Sequence, residues 1–195
     1  MEKIAENLRK NGFTVTQFDT AREAADYLAD TLHGKTVGMG GSVTLTELGL
    51  YDRLQGDNTV YWHQAAPSDE TSLAACNAQV YIASANAVSG EGYVLNIDGR
   101  GNRVAGTLMK KERVIFVVGQ NKLAGSFPEA LERARTVAAP KNAQRLQKKT
   151  PCAVDGLCHD CSSPERICNA LVVLWKKPYW CDQMEVVLIR QDLGY

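Results

Sequence analysis

Long apolar runs and an excess of either charge are both missing from this 195-residue sequence. No stretch reaches the roughly 18 apolar residues that a membrane-spanning helix requires, so we expect no transmembrane segment. The 22 lysines and arginines balance 22 aspartates and glutamates, which argues against a nucleic-acid binder and against a protein held electrostatically on a membrane. The N-terminal segment MEKIAENLRKNGF lacks the apolar core of a secretion signal. These absences predict a cytoplasmic protein whose cysteines stay reduced.

The order of the predicted elements indicates an α/β fold. Strand-like segments alternate with helix-like ones, and 45% of the residues are apolar, which suffices for a full core. The continuous apolar run at Arg113–Val118 is typical of a central parallel strand. We predict a single domain over residues 1–195, built on a twisted, mostly parallel sheet with helices on both faces. Around the turn DGRGN we predict a β-hairpin formed by Tyr93–Ile97 and Arg103–Leu108.

A glycine-rich loop follows the predicted strand at 35–39 and is a candidate ligand-binding loop. Gly40 and Gly41 allow backbone N–H groups to approach a ligand, and Ser42 and Thr44 add hydroxyl donors. The loop matches neither the Walker nor the dinucleotide fingerprint. The alternative is a tight turn with an ordinary helix cap. Glu47, in the helix expected after this loop, is a candidate catalytic carboxylate.

Two further loops follow predicted core strands and are expected at the same edge of the sheet. Asn86 and Ser89 can bind polar atoms of a ligand, and Glu91 is a candidate base or nucleophile. Lys122 follows the strand at Arg113–Val118 and can neutralise a phosphate or carboxylate. Solvated turns and an exposed lysine are the alternatives. Together the three loops predict one pocket for an anionic small molecule.

Four cysteines within 17 residues make up the most distinctive segment of the chain, the cysteine-rich loop at 149–169. Cys152, Cys158, Cys161 and Cys168 have the spacing C-x5-C-x2-C-x6-C, and His159 lies among them. Thiolates this close in sequence suit zinc or an iron–sulfur cluster. The spacing matches neither common ferredoxin pattern. A redox-labile disulfide and inert, half-buried thiols remain alternatives.

Long strings of the sequence resemble the lactate-utilization (LUD) domain family. The strings that carry the resemblance extend over nearly the whole chain, in order: VGMGGSVTLTELGL at 37–50, ANAVSGEGYVLNIDGRGNRVA at 85–105, RVIFVVGQNKLAGSFPEALERARTVAAPKNAQRL at 113–146, KTPCAVDGLCHDCSSPERICN at 149–169 and the terminal VVLIRQDLGY. Strings of this length are far more specific than any of the short motifs.

The resemblance implies a fold and a metabolic setting. The implied fold is similar to that of the sugar-phosphate isomerase and CoA-transferase group (NagB/RpiA-like), and the implied role is oxidation of L-lactate to pyruvate beside iron–sulfur oxidoreductase subunits. Because the chain has no second cysteine-rich ferredoxin region, it resembles the standalone members. Two alternatives stay open. One is a non-redox isomerase or transferase that binds a phosphorylated or CoA-like ligand, with Glu47 or Glu91 as base or nucleophile. The other is a redox- or metal-dependent regulatory module.

Overall fold

A wholly parallel six-stranded sheet lies at the centre of the computed structural model, which describes residues 1–195. Its strand order is β1-β9-β7-β4-β2-β3, and a smaller antiparallel sheet has the order β5-β6-β8. The nine strands are β1 (Thr14–Phe18), β2 (Thr36–Met39), β3 (Thr59–Trp62), β4 (Val80–Ala83), β5 (Ala87–Val88), β6 (Val94–Asp98), β7 (Lys111–Gly119), β8 (Ala170–Leu174) and β9 (Cys181–Ile189). The α/β prediction is confirmed.

Helices and single helical turns connect the strands. The nine α-helices are α1 (Glu2–Lys10), α2 (Ala21–Thr31), α3 (Val43–Glu47), α4 (Leu50–Leu54), α5 (Asp69–Asn77), α6 (Asn102–Leu108), α7 (Phe127–Arg133), α8 (Ala139–Arg145) and α9 (Pro151–Asp155). A 3₁₀ turn at Gln120–Lys122 follows β7, and a π-helical turn at Ala134–Ala138 joins α7 to α8. None of the helices combines the length and apolarity needed to cross a bilayer.

Two hydrophobic cores of 18 buried residues each lie on the opposite faces of the parallel sheet. Successive strand residues point to opposite faces, so β7 sends Phe116 into one core and Ile115 into the other. Leu8 of α1 packs in the first core, and Leu28 of α2 packs in the second. The helices therefore cover both faces of the sheet, as predicted.

The predicted hairpin at 93–108 is wrong in its second half. Its first half is β6, which pairs with β5 and β8, whereas the second half is helix α6. The Asp98 carboxylate accepts hydrogen bonds from the backbone N–H groups of Gly101 and Val104, at 3.1 Å each, and so caps the start of α6. Gly106 lets α6 approach the sheet, since a Cβ there would lie 2.3 Å from the Tyr81 ring. These tertiary contacts outweigh the preference of the segment DGRGN for a turn.

Candidate functional site

Three loops at the carboxyl edge of the parallel sheet border a cavity of about 550 Å³. The loops follow β2, β4 and β7, whose parallel pairing makes them neighbours at this edge. They contribute Gly41, Ser42, Thr44, Asn86 and Lys122, which the sequence predicted to share a pocket. The opposite wall comes from residues 97–103, from α8 and from residues 164–167. We refer to this space as the strand-end cavity.

Lys122 lies in the cavity wall with only 3% of its surface exposed. Its Nζ donates hydrogen bonds to Thr44 Oγ1 at 2.7 Å and to Ser84 Oγ at 2.8 Å. Burial, and then the nearby cations Arg133 and Arg103, lower the pKa of Lys122 to about 7. When Lys122 is protonated, its partners are neutral hydroxyls and no carboxylate pairs with it, so the ammonium charge is available to an anion.

Arg103 organises the wall formed by α6. Its guanidinium donates to Asn96 Oδ1 at 2.8 Å, to Asn86 Oδ1 at 3.3 Å and to the Ile97 carbonyl. Asn86 Oδ1 also accepts the Ile97 N–H at 2.7 Å. The Asn86 oxygen is thus occupied by the protein, which leaves its amide NH₂ as the group able to meet a ligand. The Gly40 backbone passes so close that a Cβ there would lie 2.9 Å from the Arg103 side chain.

Arg145, on α8, brings a third cation to the cavity. Its guanidinium donates to Asn142 Oδ1 at 2.9 Å and to Tyr195 Oη at 2.8 Å, and Tyr195 Oη donates to Asn142 Oδ1 at 2.8 Å. These partners are neutral, so no carboxylate cancels the charge of Arg145. Arg166, near the end of the cysteine-rich loop, is another cation in the cavity lining.

His63, which follows Trp62 at the end of β3, also lines the cavity. Burial, with Arg100 and Arg145 nearby, lowers its pKa. His63 is therefore neutral near pH 7 and can either donate or accept a hydrogen bond.

The cavity concentrates positive charge in a chain whose formal net charge is +0. Only two carboxylates line it, Asp98 and Glu165, and both accept backbone N–H groups. The six cationic residues of the lining are Arg100, Arg103, Lys122, Arg145, Lys148 and Arg166. Three of them pair with carboxylates, Arg100 with Asp69, Arg103 with Asp98 and Arg166 with Asp160, whereas Lys122, Arg145 and Lys148 make no ion pair. A concave site lined mainly by one sign of charge attracts ligands of the opposite sign. The arrangement therefore suits an organic anion.

Some predicted site residues lie outside the cavity lining. Gly40 is a structural residue, because its carbonyl accepts from Trp62 Nε1 at 3.2 Å. Ser89 is fully buried, and its Oγ accepts the Tyr93 N–H at 3.3 Å. Glu47 is exposed and accepts the Gly194 N–H at 2.7 Å. Glu91 is exposed as well. Neither glutamate reaches the cavity, so the structure brings no carboxylate base from these two positions to it.

Ser42 has a structural task besides lining the cavity. Its Oγ accepts the Leu45 N–H at 3.3 Å and caps α3. Helix α3 has only five residues, too few for the helix dipole to dominate the field of the site. Side-chain cations rather than a helix terminus therefore provide the anion-attracting charge.

The four clustered cysteines are free and half-buried. Cys158 and Cys168 line a second cavity of about 350 Å³, whereas Cys152 Sγ contacts Thr150 Oγ1 at 3.3 Å. The structure contains no group of three or more His, Cys, Asp or Glu side chains positioned to hold one metal ion. In this arrangement the residues do not fit a four-thiolate cluster or zinc site, which would require the loop to rearrange. The metal site stays a prediction.

Comparison with known proteins identifies the family and the fold. The model of the family described as LUD domain matches residues 1–189. The chain is also similar to the crystal structure of a DUF162 family protein from Deinococcus radiodurans, with a TM-score of 0.57 and 15% identity over 96% of this chain and 94% of that one. At this identity the likeness concerns the fold alone. No curated protein matches the chain.

Proposed function

The chain belongs to the LUD domain family, and we propose that it binds a phosphorylated or CoA-like organic anion in the strand-end cavity. The supporting observation is the concentration of six cationic side chains against two carboxylates in one cavity of a chain without net charge. The cavity volume of about 550 Å³ falls in the range of roughly 300–1,000 Å³ typical of sites for larger organic ligands. Lactate, a three-carbon acid, would fill only part of it.

Isothermal titration calorimetry with ribose 5-phosphate, coenzyme A and L-lactate tests this proposal. We expect at least one phosphorylated ligand to bind more tightly than L-lactate, with an affinity that falls as salt is added. Arg145→Ala should weaken binding at least about tenfold, since a hydrogen bond to a charged group contributes about 1.5–3 kcal/mol. Arg22→Ala is the matched control, because Arg22 is 85% exposed on α2. Equal affinities for the two variants, or no binding of any anion, would overturn the proposal.

Lactate utilization, with which the LUD family is associated, is the second candidate setting. In this setting the chain acts in the oxidation of L-lactate to pyruvate with iron–sulfur oxidoreductase subunits as partners. Several cations of the cavity can bind the carboxylate shared by substrate and product. The same titrations distinguish the candidates. Tight binding of L-lactate or pyruvate, with no binding of phosphorylated ligands, would favour lactate utilization over a site for a phosphorylated or CoA-like anion.

Regulation through the cysteine-rich loop is a further candidate, favoured by the position of Arg166. Its side chain lines both cavities, and it donates to the carbonyl groups of Cys161 and Cys168. A chemical change at Cys168 would therefore reach the strand-end cavity through Arg166. Ribose 5-phosphate affinity measured with reduced and with oxidised glutathione tests this, and Cys168→Ser should remove any difference. An unchanged affinity in the wild-type protein would exclude it.

A further inference from the structure

Two lysines of the chain are buried, and one of them, Lys122, lines the strand-end cavity. Lys111 is 2% exposed, and its Nζ donates to the backbone carbonyls of Cys76 and Lys110. Lys122 is 3% exposed, lines the strand-end cavity and bonds to the hydroxyls of Thr44 and Ser84. The two residues are equally buried, so their difference lies in access to a ligand.

The charged groups around Lys122 favour its neutral form. Burial, Arg133 and Arg103 lower its pKa to about 7, and Glu47 opposes this shift. The lysine ion pairs of the chain belong to Lys35 and Lys110, and Lys122 has none. Near pH 7 a substantial fraction of the Lys122 side chains is therefore unprotonated, whereas an ordinary lysine is almost entirely charged. An unprotonated, desolvated amine is a nucleophile toward carbonyl carbons.

We propose that Lys122 condenses with the carbonyl group of an anionic ligand, a 2-oxo acid or a phosphorylated ketone or aldehyde, to form an imine. The amine nitrogen bonds to the carbonyl carbon, and the carbonyl oxygen leaves as water with both amine hydrogens. No oxidant or reductant is required. The hydroxyls of Thr44 and Ser84, which contact Nζ, are positioned to relay these protons. The anionic part of the ligand is held as under the proposed function, on which this inference rests.

Reductive trapping with cyanoborohydride at pH 7 tests the imine, with peptide mass spectrometry to locate the adducts. The probes are pyruvate, dihydroxyacetone phosphate and formaldehyde, the last being a neutral carbonyl that needs no anion site. We expect all three to modify Lys122 at least about tenfold faster than Lys111, which lies outside the strand-end cavity, and faster than the exposed Lys141, which lacks the buried, cation-flanked setting that favours a neutral amine at Lys122. Inorganic phosphate should slow the reaction of the two anionic probes and leave that of formaldehyde unchanged.

The three arms separate failure of the imine from failure of the anion site. Anion binding by calorimetry without any adduct at Lys122 overturns the imine and leaves the proposed function standing. Formaldehyde adducts at Lys122 without adducts from either anionic probe overturn the anion site, and with it the imine of an anionic ligand. The comparison among lysines is made within the wild-type protein, so it does not depend on a variant folding. Lys122→Arg should abolish the preferred adduct, and Lys111→Met should retain it.

Discussion

Replacing Lys122 with methionine should change the pH dependence of stability in a way that few single substitutions do. In the folded chain burial and two arginines lower the pKa of Lys122 from 10.5 to about 7. Between these values the unfolded chain binds a proton that the folded chain does not, so this group makes the wild-type protein more stable as the pH rises. Below about pH 7 both states are protonated and the full penalty for the buried charge is present.

The magnitude follows from the size of the pKa change. A drop from 10.5 to about 7 corresponds to on the order of 5 kcal/mol at about 1.4 kcal/mol per pKa unit. Lys122→Met has no such titration, so the free energy of unfolding of the wild type minus that of the variant should rise by this amount between about pH 6 and pH 10.5. The hydrogen bonds lost at Thr44 and Ser84, each worth about 1 kcal/mol, shift this difference by a largely constant amount.

Urea unfolding followed by circular dichroism at a series of pH values measures the difference directly. Subtraction of the variant from the wild type removes the titration of every other group, provided that both unfold in a two-state manner. Lys141→Met is the control, because Lys141 is exposed and outside the cavity, and its difference should stay nearly flat. A flat difference for Lys122→Met as well would refute the buried, cation-flanked environment and with it the basis for a reactive amine.

Three other substitutions test separate parts of the structure. Cys158→Ser should lower both the metal content and the melting temperature of protein purified without oxygen, because metal binding stabilises the folded form; equal metal content in wild type and variant would contradict the predicted metal site. Glu185→Ala removes a fully buried carboxylate that accepts hydrogen bonds from Arg113, so we expect urea unfolding to show a loss of about 3–5 kcal/mol. A loss below about 1 kcal/mol would mean that the guanidinium reaches solvent. Gly106→Ala forces a Cβ into the Tyr81 ring and should cost about 1–3 kcal/mol, and a smaller side chain at Tyr81 should restore part of the loss.

The position of the site at the strand ends was predictable because it depends on local sequence patterns. Apolar runs such as Arg113–Val118 mark central strands from composition alone, and polar or glycine-rich residues directly after them mark the strand ends. Parallel pairing then brings those ends to one edge, which is why Ser42, Asn86 and Lys122 were expected together and line one cavity. The hydrogen bonds and the lowered pKa of Lys122 could not be predicted, since they depend on burial and on hydroxyls and arginines contributed by other elements.

The cationic wall was missed for a different physical reason. The string DGRGN favours a turn by itself. A helix forms instead because Asp98 caps its first turn and Gly106 lets it approach the sheet closely. As a result, Arg103 lies in the cavity wall and not in the predicted strand. Arg145 and Arg166 reach the cavity from segments far along the chain. Net charge averages over the whole chain and is the quantity that matters for polyanions as large as nucleic acids or membrane surfaces, whereas a small anion responds to charges within about 10 Å, the distance over which salt screens. A neutral composition is therefore compatible with a strongly cationic cavity, and only the fold reveals which arginines and lysines form it.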